Sequence, residues 1–181
     1  SSTGCSPPRR APHRPDPITL TQRTFVTTSE PQQPAFQIEK LYVKDLSLEL
    51  PNAPQVFLES SQPQLEVQIH NDARQVGDGL YEAVVTVTVT ARAGEKTLFL
   101  AEATQAGLFT VRGVPAGDLD PLLGIACPNI LYPYVREAIS DLVTRGGFPP
   151  VVIAPVSFEQ LYAQRQQQAA AAAAAQPQAA N

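Results

Sequence analysis

Between Leu80 and Gly94 the chain reads LYEAVVTVTVTARAG, and its side chains alternate without a break. Tyr81, Ala83, Val85, Val87 and Val89 fall on one parity, and Glu82, Val84, Thr86, Thr88 and Thr90 on the other. A period of two fits a pleated strand and no helix, and β-branched residues suit that surface. Gly94 marks a turn, and EKTLFLAEATQAGLFTV follows at once as a second strand. A link this short excludes a parallel crossover, so the two strands form an antiparallel hairpin. Two more strands precede them. PQLEVQIH (Pro63–His70) sets Leu65, Val67 and Ile69 on one face. FQIEKLYVKDLSLEL (Phe36–Leu50) sets Phe36, Ile38, Tyr42, Leu46 and Leu48 on one parity against Asp45, Ser47 and Glu49. The PNAP run (Pro51–Pro54) ends it.

A Gly/Pro/Asp stretch then leads to a helical pattern in which Leu131, Val135, Ala138, Ile139 and Leu142 share one face. Pro128 suits a first turn, Pro133 predicts a late start or a kink, and Gly146–Gly147 predicts the stop. A second helix is expected from Ser157 as N-cap. Four strands followed by two helices predict an α+β fold: a four-stranded antiparallel sheet with two C-terminal helices packed on one side. Between the helices lies FPPVVIAPVSF, whose Pro149, Pro150 and Pro155 lack the N–H groups a central strand needs. One such sheet and two helices make a thin core, which predicts self-association.

The 181 residues divide by composition into a Pro/Ser/Thr-rich arm (1–35) expected to be disordered, a domain (36–162), and a low-complexity Gln/Ala tail (163–181) into which the last helix can run. The arm has no apolar stretch before a small-residue cleavage site, so it does not read as a signal peptide, and it lacks the amphipathic spacing of a transit peptide. The domain holds eight Lys/Arg against fifteen Asp/Glu. Such an acidic body argues against nucleic acid and suits a basic protein partner. No transmembrane stretch stands out. Cys5 and Cys127 form no CxxC pair, and His13 and His70 have no ligand spacing, so neither metal nor disulfide framework is expected. This usage fits a reducing, cytoplasmic compartment. No catalytic motif is present. Cys127 precedes a helix, where a thiol can be activated, but a buried structural cysteine is the better reading because no histidine is placed to assist it. His70 reads as a strand residue, and Asp118 with Asp120 as turn residues.

FQIEKLYVKDLSLELPNAP, EATQAGLF and CPNILYPYVREAISDLVTRGGFPPVVIAPVSFEQLY resemble, over about Phe36 to Tyr162, the SecB family of bacterial export chaperones. The resemblance implies a homotetramer built as a dimer of dimers, with sheets associating and long helices sandwiched between dimers. It implies a holdase that keeps secretory preproteins unfolded in the cytoplasm and hands them to the ATPase SecA, without enzymatic activity or cofactor. Carried onto this chain, the SecA-contact positions are Asp45, Glu49, Leu100 and Glu102. Each pair shares a strand parity, which agrees in kind.

The client site is expected as a long apolar groove between the sheet and the FPPVVIAPVSF segment, with Tyr42, Phe57, Val151, Ile153, Leu161 and Tyr162 as walls. Many relatives carry Trp where this chain has Ser61, so that subsite is expected to be shallower or to be filled by another residue. The alternative reading is a self-assembling, non-catalytic adaptor that binds a folded partner through the acidic sheet face.

Overall fold

A computed structural model describes residues 34–58 and 62–175 of the chain. Ser61, Cys5, His13 and residues 1–33 of the arm lie outside the described residues. The element order is β1 (Ala35–Glu49), a 3₁₀ turn (Gln55–Leu58), β2 (Gln64–Gly77), β3 (Leu80–Ala93), β4 (Lys96–Arg112), α1 (Ala116–Pro121), a π-helical turn (Leu122–Ala126), α2 (Cys127–Arg145) and α3 (Phe158–Ala175). The strands form one antiparallel sheet in the order β1-β4-β3-β2. Gly79 and Gly94 turn the two hairpins with φ of 62° and 61°, a region side chains disfavour. β1 and β2 occupy opposite edges, so the connection carrying the PNAP run crosses the end of the sheet. There the Asn52 side-chain amide donates to the Thr97 carbonyl at 2.8 Å.

The alternation read in β3 is the division between two faces. Ala83, Val85, Val87, Val89 and Ala91 are buried, together with Ala101, Ala103, Phe109 and Val111 of β4. Direct pairs such as Val87 with Ala103 and Val89 with Ala101 place these rows on the same face. α2 lies over them, with Leu131, Val135, Ile139 and Val143 buried at helical i, i+4 spacing. Each such side chain contributes about 1.5–3 kcal/mol by leaving water. The predicted α+β fold is the observed one.

Two local expectations fail. The Gly/Pro/Asp stretch is helical, as α1 and the π turn, so Asp118 and Asp120 sit in a short helix. α2 starts at Cys127 and runs through Pro133, so of the late start or kink expected at that proline the late start does not occur. Apolar anchoring of Leu131 and Val135 on either side of Pro133 outweighs the missing N–H.

Among the described residues, α3 is held by its first half. Ser157 caps it, its Oγ accepting from the Gln160 N–H at 3.2 Å. Phe158 is fully buried, its ring edge-on to Tyr132 with centroids 5.5 Å apart. Leu161 and Tyr162 are half-buried, and residues 163–174 are exposed. Arg165 donates to the carbonyl and side-chain oxygens of Asn71 on β2. The helix continues through the alanine run as its propensity suggests.

Candidate functional site

On the sheet face away from α2, antiparallel register brings β1 and β4 residues into rows. Glu49 lies opposite Leu100, Ser47 opposite Glu102, and Asp45 opposite Thr104. Direct opposites have Cβ atoms about 5 Å apart. Asp45, Glu49, Leu100 and Glu102, drawn from two segments some fifty residues apart, thus form one patch. Asp45 and Glu49 are exposed, and Leu100 and Glu102 half-buried. Glu102 accepts from the Thr88 hydroxyl at 2.6 Å, beside a Thr86–Thr104 hydroxyl pair at 3.0 Å. Among the described residues no basic side chain pairs with Asp45 or Glu49. The patch is a flat, acidic surface with one leucine in it.

Next to it, Glu82 of β3 carries three partners. The Lys44 ammonium donates to both carboxylate oxygens at 2.8 and 2.9 Å, the Tyr42 hydroxyl donates to one, and Arg74 Nε donates to the other at 2.8 Å. Hydrogen bonds from Lys44, then Tyr42, hold the Glu82 carboxyl down at about 2, against the opposing effect of burial. Donating to this carboxylate raises the Tyr42 hydroxyl in turn. Tyr42 lies over Ala106, whose small side chain leaves room for this cross-sheet cluster.

Tyr42 therefore lies on the open face, whereas the other expected groove residues belong to the α2 side. The cause is a pair of β1 irregularities, between Ile38 and Lys40 and between Val43 and Asp45. Each inserts a residue and inverts parity. Phe36 and Ile38 pair with Val111 and Phe109 on the α2 side, and Leu46 and Leu48 return to that side opposite Ala103 and Ala101. Tyr42, between the two irregularities, pairs with Ala106 on the open side.

On the α2 side, Phe57 packs on Phe148 at 5.3 Å, and Phe148 on Phe99 at 5.0 Å. Sequence reading missed Phe99 and Phe148; the Gly146–Gly147–Phe148 stop was their signal, because it turns an aromatic back onto the sheet end. From Phe148 the chain runs back along α2, and the Tyr132 hydroxyl donates to the Ala154 carbonyl at 2.8 Å. Val151 and Ile153 point inward and are buried, while Val152 is 84% exposed. A cavity of about 250 Å³ lies against α2 here, lined by Pro133, Arg136, Ser140 and Val151–Ile153. Apolar surface remains open nearby: Phe57 is 50% exposed, and Leu65 and Val67, on the α2 side of edge strand β2, are 49% and 39% exposed. The same β2 row continues through Ile69 to Asn71 and Ala73, which line a second cavity with Tyr162. The Tyr162 ring packs against Gly124, where a Cβ would stand 2.8 Å from it, and its hydroxyl donates to Asp120. Leu161 packs on the core margin. The structure thus brings Phe57, Val151, Ile153, Leu161 and Tyr162 to one side of the sheet and leaves Tyr42 on the other.

Cys127 is fully buried, and desolvation pushes its thiol up to about 12. It supplies no thiolate at neutral pH and belongs to the core. His70 is exposed on the open face opposite Thr86. Asp120 is an acceptor for Tyr162 and Gln166. Among the described residues no group of three or more His, Cys, Asp or Glu could hold a metal ion, and no helix is long and apolar enough to cross a membrane.

Residues 29–169 match the family model described as "Preprotein translocase subunit SecB". The chain is similar to the protein-export protein SecB of Chromobacterium violaceum, 59% identical over 134 residues covering 74% of this chain and 89% of that one. The SecB of Dechloromonas aromatica is 60% identical, covering 74% and 88%, and that of Neisseria meningitidis serogroup B 55% identical, covering 76% and 95%. Among solved structures, a SecB-like chaperone of Mycobacterium tuberculosis bound to a peptide of the HigA1 antitoxin shares the fold, with a TM-score of 0.55 at 17% identity, covering 67% of this chain and 90% of that one. With this extent of match on a sheet and helices of the same kind, the chain belongs to the SecB family.

Proposed function

We propose that the protein is a chaperone of preprotein export: an ATP-independent, non-catalytic holdase that keeps secretory preproteins unfolded in the cytoplasm and delivers them to SecA. The observation that carries this reading is the apolar margin on the α2 side, where Phe57, Leu65 and Val67 remain 39–50% exposed beside a closed core. Open apolar surface of this kind marks an interaction site. Each client side chain it covers contributes about 1.5–3 kcal/mol before association costs are subtracted, so several weak contacts hold a chain without reading its sequence. Backbone pairing along edge strand β2 would add to them.

The acidic open face is the proposed SecA surface, through Asp45, Glu49, Leu100 and Glu102. Its sign favours a basic partner segment and a fast, salt-sensitive encounter. Client and SecA would then use opposite sides of the sheet and need not exclude each other. The homotetramer, a dimer of dimers, would cover other exposed apolar side chains, among them Tyr134 on α2 and Phe36, Ile38 and Val43 on β1.

The test is light scattering of a denatured secretory protein diluted into buffer with stoichiometric chaperone and no nucleotide. Delayed aggregation is expected, and an unchanged trace would overturn the holdase reading. An adaptor acting only through its acidic face would instead bind its partner and capture no client.

A further inference from the structure

Lys44 stands between acidic side chains on two sides. It is the residue that β1 inserts between Val43 and Asp45, so it borders the acidic patch. Asp45 is its neighbour in the chain, and Glu102 lies two residues along β4 from Thr104, the partner of Asp45, about 7 Å away. A flexible four-carbon stem is long enough for either. The ammonium instead reaches the other way, past Ala106, and donates to both oxygens of the buried Glu82. Arg74, from the far edge strand, meets the same carboxylate. One acidic side chain thus collects two cations of the open face, while among the described residues no basic side chain pairs with Asp45 or Glu49. We propose that Glu82 is a positioning residue for the acidic surface: by holding Lys44 it keeps that lysine off Asp45 and Glu102, and so sets the affinity of the patch for a basic partner that it does not itself touch.

The lysine stays on Glu82 because the two destinations differ in burial. Asp45 is exposed, where an ion pair is weak and screened by salt. Glu82 is withdrawn from water, where a carboxylate left short of donors is costly. Lys44 is the largest cause of its depressed folded-state value. Glu82→Gln keeps the volume but offers three donors one uncharged carbonyl oxygen in place of a carboxylate. Lys44 then loses its ion pair, with Asp45 and Glu102 in reach. Arg74 does not follow, because β3 separates its strand from the patch.

The charge of Glu82 itself bears little on the patch. Its backbone stands opposite Leu108, four residues along β4 from Thr104 and six from Glu102, about 13 and 20 Å. Both spans exceed the screening length of about 8 Å at 0.15 M salt. The effect therefore runs through Lys44. One lysine returned to the carboxylates of Asp45, Glu49 and Glu102 offsets a third of their charge, and an exposed pair of this kind changes affinity about two- to fivefold. The consequence for SecA rests on the export reading of the patch; the control of its charge does not.

The test is a cycle on the full chain: parent, Glu82→Gln, Lys44→Gln and the double variant, each kept well below its melting transition. Octalysine is titrated against each protein, labelled on leucine methyls, at about 0.15 M salt, and affinity at the patch is read from the Leu100 resonances. Glu82→Gln should weaken binding about two- to fivefold, Lys44→Gln alone should leave it within about 1.5-fold, and the double variant should return to the parent value within the same margin. A merely structural role predicts that the double variant, having lost two partners, binds no better than Glu82→Gln, and that result would overturn the proposal. So would an additive cycle, in which Lys44→Gln tightens binding by the factor that Glu82→Gln weakens it, because net charge alone then accounts for both. Leu100 resonances that do not respond to octalysine would overturn it as well. SecA in place of octalysine should reproduce the ranking. A ranking that holds for octalysine while all four proteins bind SecA alike would refute the SecA reading of the patch and leave the positioning role standing.

Discussion

Replacing Glu82 by Gln tests whether the open face is organised by one carboxylate. The side chain is 5% exposed and accepts from Lys44, Tyr42 and Arg74, which arrive from β1 and β2. A carboxyl moved from 4.5 to about 2 corresponds to at most ~3.4 kcal/mol. Lys44 and Arg74 are 39% and 65% exposed, so screening reduces this to ~1–2 kcal/mol. Gln keeps the volume but removes the charge and turns an N–H₂ toward other donors. The sign follows from a depressed folded-state value. The contribution is full above the ordinary 4.5 and is lost as pH falls toward about 2. Thermal unfolding at fixed protein concentration should therefore show Glu82→Gln melting roughly 3–6 °C below the parent at neutral pH. The gap should close as pH approaches the folded-state value, because the parent's own carboxyl is then protonated. A gap of the same size across the whole range would mean that lost packing, and not charge, carries the effect, and the reasoning would fail.

Three further outcomes are expected. Glu102→Lys should weaken SecA affinity while aggregation of a denatured client is still delayed; equal loss of both would point to misfolding. Leu161→Ala with Tyr162→Ala should weaken client capture in the scattering assay and leave SecA binding within about twofold, since both lie off the open face and cost little core. Cys127 should resist thiol reagents at neutral pH until the protein unfolds, with labelling of a Cys5→Ser variant tracking the unfolding curve; fast native-state labelling would contradict its burial.

The strands and their faces were legible wherever pairing is regular. In β3 strict alternation and buried valines coincide residue by residue, because one face meets α2 and the other does not. β1 was legible only at its ends. Two parity inversions cancel, so Phe36 and Leu48 share the side that counting assigns them, while Tyr42 between them does not. No local signal in FQIEKLYVKDLSLEL marks an inserted residue; the insertion exists only relative to β4. The helical character of 116–126 was hidden for a different reason. Gly117, Pro121 and Gly124 are poor helix formers, and Gly124 is there because the Tyr162 ring occupies the space of a Cβ. Composition recorded that packing demand and masked the local conformation. FPPVVIAPVSF was readable once the helix before it was fixed. Alternation of buried Val151 and Ile153 with exposed Val152 persists there without any ladder of hydrogen bonds.

The same irregularities explain how a single edge strand serves two surfaces. A regular β1 with this sequence would put Tyr42 with Phe36 and Leu46, against α2, and its hydroxyl would need a partner inside an apolar layer. Inverting parity twice moves only the middle of the strand. Tyr42 and Lys44 reach Glu82 across the small side chain of Ala106, and the apolar ends stay on the α2 side. The second irregularity falls immediately before Asp45, so the residues that satisfy Glu82 and the residues that form the acidic patch are successive on one strand. Lys44 is thereby committed to Glu82 and does not neutralise its neighbour Asp45. Sequestering that lysine on a buried carboxylate is what leaves the patch with uncompensated negative charge, whichever basic segment comes to occupy it.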